Sequence, residues 1–234
     1  MSQVYYITQA DLEDKNILIN FIYANTNVSY YYSDIFDEDF YINLARAGFI
    51  CVSHSEEGQQ YIVPEMQKEY AVMDFQNLHI SKKVKKLLNQ QNLYSFSISK
   101  NVDKIVKGIQ SYHKENWVEK DYLRLLHKLV EYKHHYIDFE ILCCELICNK
   151  TNNLIAGEIG YRINSTYTSL SGFTTKDKQY NNYGKLQMTL LAKYLESNNY
   201  SFWNMGHPYM QYKLDLGAHI LKREDFLIKW LKKV

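Results

Sequence analysis

The sequence predicts an α+β protein with a largely antiparallel sheet flanked by helices. Three apolar runs, at 139–148, 154–163 and 167–173, follow one another with only short polar turns between them. Turns this short join antiparallel strands, because parallel neighbours need a long crossover connection. Amphipathic helical patterns lie before and after these runs rather than alternating with them, which argues against a doubly wound parallel sheet.

Hydrophobic spacing defines the elements before this meander. Apolar residues recur at helical intervals over 80–88, and Ser81 stands where it can cap the helix N-terminus. Residues 94–99 alternate apolar side chains with serines, which predicts a half-buried strand. Two amphipathic helices then span 102–112 and 122–130.

The segments after the meander predict a helix at 186–195, a buried strand at 200–205 and a closing helix at 226–231. The first 75 residues are less regular, with one short helix near 11–25 and several strand-like pieces. We therefore predict a small N-terminal lobe, residues 1–75, and a main domain, residues 76–234. The chain has only two prolines and no linker-like tract, so this boundary rests on the change in periodicity alone.

Composition excludes a protein drawn to nucleic acid by its overall charge. Lys and Arg total 27 against 26 for Asp and Glu, so any contact with an anionic partner must come from a local patch. No apolar run approaches the about 18 residues of a membrane span, and the N-terminus lacks a signal-peptide pattern. We expect a cytoplasmic protein.

The four cysteines predict buried, reduced thiols. They lie near or within apolar runs and lack the paired spacing of zinc ligands or of a disulfide framework. We therefore expect no metal site.

A first candidate binding feature is the lysine cluster Lys82, Lys83, Lys85 and Lys86. The four cations lie on the helix side opposite its apolar stripe, where they repel one another. An anionic partner such as RNA explains why they are held together. The alternative is a solvated helix face.

Trp117 is a second candidate, because it precedes a helix without belonging to its apolar stripe. An indole in such a place can stack on a nucleobase, as in proteins that bind single-stranded nucleic acid. It can equally fill a gap in the core.

The third feature is the hairpin region LIAGEIGYRINSTYTSLSGF at 154–173. Its recurring glycines mark bulges or close approach by another group. Ser171 and Phe173 lie near its end, where we expect a ligand-sized hollow lined by apolar groups and hydroxyls. The alternative is a tightly twisted hairpin.

Five motifs between residues 78 and 227 occur in a fixed order, and the resemblance that they carry covers roughly residues 40–234. LHIS followed by lysines, a Trp ahead of YLRLLHKL, LIAGEIGY, SLSGF and LGAHILKREDFL together resemble the leucyl/phenylalanyl-tRNA–protein transferases. The resemblance implies a GNAT-like fold with an added N-terminal lobe. It implies transfer of an amino acid from aminoacyl-tRNA to the N-terminal amine of an acceptor protein, in the N-degron pathway of protein degradation. It also implies that the lysine cluster lies beneath the acceptor stem of the bound tRNA and that Trp117 stacks near the terminal adenosine of that tRNA.

The chain departs from this family at the usual catalytic positions. Leu170 stands where the family has a glutamate, and the run 205–207, Met-Gly-His, replaces Asp-Cys-Gln. The run Met210, Gln211, Tyr212 and Lys213 instead resembles the Met-x-Tyr-Lys segment of arginyl-tRNA–protein transferases. The amino acid transferred is therefore left open between leucine or phenylalanine and arginine.

The implied reaction needs positioning and one proton acceptor, because an aminoacyl ester is already activated. We predict that His207 orients or deprotonates the attacking amine, since an imidazole accepts and releases protons near neutral pH. Gln211 and Asn204 are the next polar candidates at this strand end. Met210, Tyr212 and Lys213 are expected to line the substrate site. A structural histidine is the alternative for His207.

Two other functions remain open. An acetyl-CoA-dependent acyltransferase of the GNAT fold would carry a glycine-rich loop before the helix at 186–195, but the sequence there is NNYGK, with one glycine. A non-catalytic tRNA- or degron-binding module is the other, because the family's acidic residues are replaced. We expect a monomer that uses no cofactor.

Overall fold

The computed structural model describes residues 5–113 and 117–234. The strands within these residues are β1 (Tyr5–Tyr6), β2 (Tyr31–Tyr32), β3 (Ile50–Glu56), β4 (Gln59–Glu65), β5 (Glu69–Met73), β6 (Tyr94–Ser99), β7 (Phe139–Cys148), β8 (Leu154–Ile163), β9 (Thr166–Thr174), β10 (Phe202–Asn204) and β11 (His219–Lys222). The α-helices are α1 (Gln9–Glu13), α2 (Glu38–Arg46), α3 (Lys82–Leu88), α4 (Val102–Tyr112), α5 (Lys120–Glu131), α6 (Tyr183–Ser197), α7 (Gln211–Leu216) and α8 (Arg223–Trp230). A π-helical segment spans Ile17–Tyr23.

The centre of the fold is a seven-stranded sheet in the order β11-β5-β10-β9-β8-β7-β6. Its neighbours pair antiparallel except β10 and β9, which are parallel. The predicted α+β class, with a mixed, largely antiparallel sheet flanked by helices, is confirmed. The sequence did not predict which two strands form the parallel pair.

Local sequence rules account for most elements of this sheet. The meander β7–β8–β9 has the predicted antiparallel pairing, and α3 begins where predicted. The Ser81 side chain accepts a hydrogen bond from the Val84 backbone N–H at 3.4 Å, as expected of an N-cap. The four cysteines are buried free thiols, as predicted.

Helices cover both faces of the sheet. On one face α4 and α5 pack against the meander, and Ile105, Ile141 and Ile159 are fully buried between them. On the other face α6 lies over β7 and β8, where Leu191, Leu195 and Trp203 are fully buried. None of the helices in the described residues is long and apolar enough to cross a membrane.

The N-terminal part of the chain shares its core with the main sheet. The β3–β4 hairpin and α2 bury Tyr41, Phe49 and Ile62 in the same hydrophobic cluster as Tyr122 and Phe139. The strand β5 precedes residue 75 yet pairs with β10 and β11 in the main sheet. The division into residues 1–75 and 76–234 stays a prediction.

Candidate active site

The sheet opens where the parallel strands β10 and β9 part. Pairing between them ends at Asn204 and Thr168, whereas β9 continues beside β8 as far as Thr174. The β8–β9 register also shifts beside Leu170, so β9 carries a bulge just beyond the end of β10. Bulges redirect side chains and often lie beside active sites. Leu170, the residue expected from the resemblance to stand in place of a glutamate, lies at this bulge.

His207 lies in the turn that leaves the end of β10. Gly206 turns the chain with a φ of 71°, a conformation that glycine adopts without strain. The His207 Nε2 lies 2.9 Å and 3.0 Å from the two carboxylate oxygens of Glu65. Its ring stacks on Tyr209, with centroids 5.4 Å apart. The side chain is 35% exposed, so His207 is held in place yet reachable.

Glu65 is a site residue that the sequence did not indicate. It ends β4, and its side chain is only 8% exposed. Burial, followed by the nearby Glu65 charge, raises the pKa of Tyr30 to about 12. The Gln67 amide donates to Glu65 at 3.5 Å. Since Glu65 and His207 are 142 residues apart, only the folded chain brings them together.

The Lys213 side chain stabilises the same turn. Its Nζ donates to the carbonyl oxygens of Met205 at 2.5 Å and His207 at 2.7 Å. Burial lowers the pKa of Lys213 to about 8, while the charge of Glu158 opposes that shift. The predicted role of Lys213 in contacting substrate is untested. In this structure its amine fixes the backbone on either side of Gly206.

Glu158 forms a second buried polar cluster beneath the opening. Its carboxylate accepts hydrogen bonds from the Ser169 hydroxyl at 2.5 Å and the Tyr167 hydroxyl at 3.1 Å. Trp203 Nε1 in turn donates to the Ser169 oxygen at 2.7 Å. Burial raises the pKa of Glu158 to about 7, against the opposing hydrogen bonds and the charge of Lys213.

The raised pKa of Glu158 predicts a pH-dependent stability. The folded protein binds the Glu158 proton more tightly than the unfolded chain does, so protonation of Glu158 stabilises the folded state. This stabilisation is complete below pH 4.5 and is lost as the pH rises through about 7. Relative to Glu158→Gln, the wild type is expected to lose about 3 kcal/mol of unfolding free energy between these pH values.

Urea unfolding at closely spaced pH values measures this difference. Glu131→Gln, at an exposed position at the end of α5, is the matched control. A difference between wild type and Glu158→Gln that stays constant from pH 4.5 to 7.5 would contradict the expectation.

The remaining predicted residues of the turn lie close to His207 in the chain but differ in exposure. Asn204 is buried, and its side-chain oxygen accepts from the Gly206 N–H at 3.0 Å. Gln211 is exposed and donates to Asp215 at 3.1 Å. Met210 and Tyr212 are 49% and 37% exposed. Asn204 thus shapes the turn, while the other three lie on the first turn of α7 or just before it.

Ser171 and Phe173 lie on the part of β9 that extends beyond β10. Ser171 is half-buried, whereas Phe173 is buried against α4. A Cβ at Gly108 or Gly157 would lie within 3.0 Å of the Phe173 ring. Glycine at these two positions therefore leaves room for the Phe173 ring. This packing explains why glycine occurs there, and no ligand is needed to explain it. Substrate binding by Ser171 and Phe173 stays a prediction.

Trp117 is half-buried at the edge of the core. Its ring packs edge-on against Tyr122, with centroids 5.4 Å apart. Its carbonyl oxygen accepts from the Ser53 hydroxyl at 2.5 Å. This position fixes the backbone while leaving part of the indole accessible.

Trp117→Ala is expected to weaken binding of charged tRNA by about 1 to 3 kcal/mol, the range for loss of a base-stacking aromatic residue. Unfolding is expected to remain cooperative. Filter binding and thermal unfolding measure the two effects. Trp230→Ala is the comparison, because this fully buried indole should cost about 3 to 5 kcal/mol of stability. A stability loss of that size at Trp117, with affinity unchanged, would identify it as a core residue.

The lysine cluster, Lys82, Lys83, Lys85 and Lys86, is exposed along α3. The apolar side of α3 is anchored by buried Val84 and packs against α6. Lys85 and Lys193 of α6 line one groove together with Asn89 and Gln91. The cationic surface therefore extends from α3 onto α6, on the sheet face that carries α7.

A family model of the leucyl/phenylalanyl-tRNA protein transferases matches residues 72–231. The chain belongs to this family. The match includes the lysine cluster, the meander, the opening between β9 and β10, and the turn with His207. The match confirms the family resemblance that the sequence motifs predicted.

Similar solved structures include FemX, with 9% identity, a TM-score of 0.47, and coverage of 82% of this chain and 69% of FemX. L-PGS from Bacillus licheniformis has 13% identity and a TM-score of 0.44, with 81% of this chain and 56% of that chain covered. The chain thus spans little more than half of L-PGS. No curated protein matches significantly.

Proposed function

We propose that this member of the family transfers an amino acid from aminoacyl-tRNA to the N-terminal amine of an acceptor protein. Transfer of leucine, phenylalanine or arginine would mark the acceptor in an N-degron pathway of protein degradation. The observation that carries the proposal is the imidazole of His207, paired with a buried carboxylate where β10 and β9 part. We further propose that the protein acts in the cytoplasm as a monomer.

The proposed chemistry uses the turn as a meeting point for two substrates. The aminoacyl ester lies in the opening between the strands, and the acceptor amine approaches His207. Positioning alone can contribute about 7 to 11 kcal/mol to the barrier reduction. His207 takes a proton from the amine as it attacks.

The cationic surface on α3 supports the same proposal, because tRNA offers a dense line of phosphates. Replacing Lys82, Lys83, Lys85 and Lys86 with Gln is expected to weaken tRNA binding and reduce its salt dependence. Each lost phosphate contact should lower the log-log salt slope by about 0.7 to 0.9.

Binding measured across a series of salt concentrations gives this slope. The matched control replaces four exposed lysines elsewhere, Lys107, Lys120, Lys133 and Lys232. An unchanged slope in the α3 variant would show that the cluster is only a solvated helix face.

One assay separates the proposal from its two alternatives. The protein is incubated with acceptor peptides and either bulk charged tRNA or acetyl-CoA, with and without ribonuclease. Peptide product that requires intact charged tRNA supports the proposal. Product that requires acetyl-CoA identifies an N-acyltransferase, and tRNA or peptide binding without product identifies a binding module; either outcome contradicts it.

A further inference from the structure

Glu65 and His207 form a pair that neither the sequence motifs nor the family comparison assigns. Both oxygens of the Glu65 carboxylate lie within 3.0 Å of Nε2. The other ring nitrogen, Nδ1, is buried and makes no hydrogen bond to any residue that the structure describes. The two nitrogens of one imidazole are therefore in different chemical surroundings.

This asymmetry determines which nitrogen carries hydrogen in the neutral ring. An ionised carboxylate only accepts hydrogen bonds, so the nitrogen that faces it must be the donor. A neutral imidazole has one N–H, and placing it at Nε2 leaves a free lone pair at Nδ1. The contact with Glu65 thus leaves Nδ1 as the nitrogen able to accept a proton.

We propose that Glu65 is a positioning residue that holds His207 in its Nε2–H tautomer, so that Nδ1, which is buried in this structure and uncovered when the acceptor enters the opening, receives the proton of the acceptor amine. This inference rests on the proposed aminoacyl transfer. The amine nitrogen forms a bond to the ester carbonyl carbon while its proton moves to Nδ1. The bond from that carbon to the ribose oxygen then breaks, and the proton passes from the imidazolium to the departing oxygen.

The surroundings of Glu65 hold it in place for this role. The amide of Gln67 donates to its carboxylate, and the next residue, Met66, is tied through its carbonyl oxygen to the buried Arg223 guanidinium at 2.5 Å. On the other side of the pair, Lys213 donates to the His207 carbonyl oxygen. Backbone and side chain of both partners are therefore fixed before substrate arrives, which is what preorganised catalysis requires. A buried carboxylate also stabilises the imidazolium that forms during transfer.

Kinetics give the first test. Glu65→Gln is expected to reduce turnover by about 10-fold or more, part of the 10² to 10⁴ that general base catalysis contributes, with KM for charged tRNA unchanged. Glu65→Asp keeps the carboxylate and is expected to retain more turnover than the Gln variant. The matched control is Asp103→Asn, which breaks an exposed carboxylate–histidine pair with His127 at 3.0 Å and should leave turnover unchanged.

The ring nitrogens give a second test that does not need activity. In protein with ¹⁵N-labelled histidine at pH 8, the spectrum of His207, assigned with His207→Gln, is expected to show the Nε2–H tautomer. Glu65→Gln is expected to lose this preference, because an amide both donates and accepts. Wild-type turnover in folded Glu65→Gln, or an Nδ1–H tautomer in the wild type, would overturn the inference. An inactive wild type would instead contradict the proposed transfer, while the tautomer still decides the role of Glu65.

Discussion

Replacing Arg223 with methionine is expected to lower the free energy of unfolding by about 3 to 5 kcal/mol. Arg223 is 1% exposed although it carries a full charge. Its guanidinium donates to backbone carbonyl oxygens of five residues, Ile22, Asn25, Val28, Met66 and Gln67. Methionine fills similar space but leaves these acceptors without their donor. The side chain ties the first segment of the chain to α8 and to the turn after β4.

Urea unfolding measures the loss. Arg124→Met is the matched control, because Arg124 is exposed and its one ion pair within the described part of the chain is with Asp121, three residues earlier. Such surface pairs contribute at most about 1 kcal/mol. Arg223→Lys keeps the charge but not the planar set of donors, and it is expected to recover little stability. A loss below about 1 kcal/mol in Arg223→Met would show that the carbonyls find other partners.

Replacing His207 with glutamine is expected to reduce turnover by about 10²-fold or more, the range that general base catalysis contributes. Glutamine keeps a polar side chain of similar reach but cannot accept and release a proton near neutral pH. The expected loss lies in turnover rather than in tRNA affinity, because the α3 lysines are the proposed tRNA contacts.

Single-turnover measurements with saturating charged tRNA separate this effect from binding and product release. His127→Gln is the matched control and should have wild-type turnover, because His127 lies on the exposed side of α5 and, among the described residues, pairs with Asp103 alone. Full activity in His207→Gln would mean that the amine loses its proton to water or to the tRNA, and the role assigned to His207 would be wrong.

Patterns within short stretches of sequence were enough to predict most of the fold. The alternation of Tyr94, Phe96 and Ile98 with serines, and the turns around 149–153 and 164–165, each reflect a contact between near neighbours. These patterns gave the strands β6 to β9 and the helices α3 to α5 close to their observed bounds. They could not give the parallel pairing of β10 with β9, or the place of β5 beside β10, since strand order depends on contacts far apart in the chain.

Only part of the candidate site could be predicted from the sequence, for a related reason. His207 stands out because Gly206 and Pro208 break a buried strand around it. Glu65 does not stand out, because a glutamate at the end of an irregular strand is typical of a solvated surface residue. Arg223 and Lys213 were equally hidden, since a charged side chain reveals its burial only when its partners are known.

Transfer from individually charged tRNAs tests the central claim most directly. Purified tRNAs carrying isotopically labelled leucine, phenylalanine or arginine are each incubated with the protein and one acceptor peptide, and mass spectrometry follows the peptide. The account predicts that the peptide gains one labelled residue at its N-terminus with at least one of these tRNAs. It also predicts that a peptide with an acetylated N-terminus gains none. Labelling at a lysine side chain of the acetylated peptide, or no labelling with any charged tRNA, would contradict it.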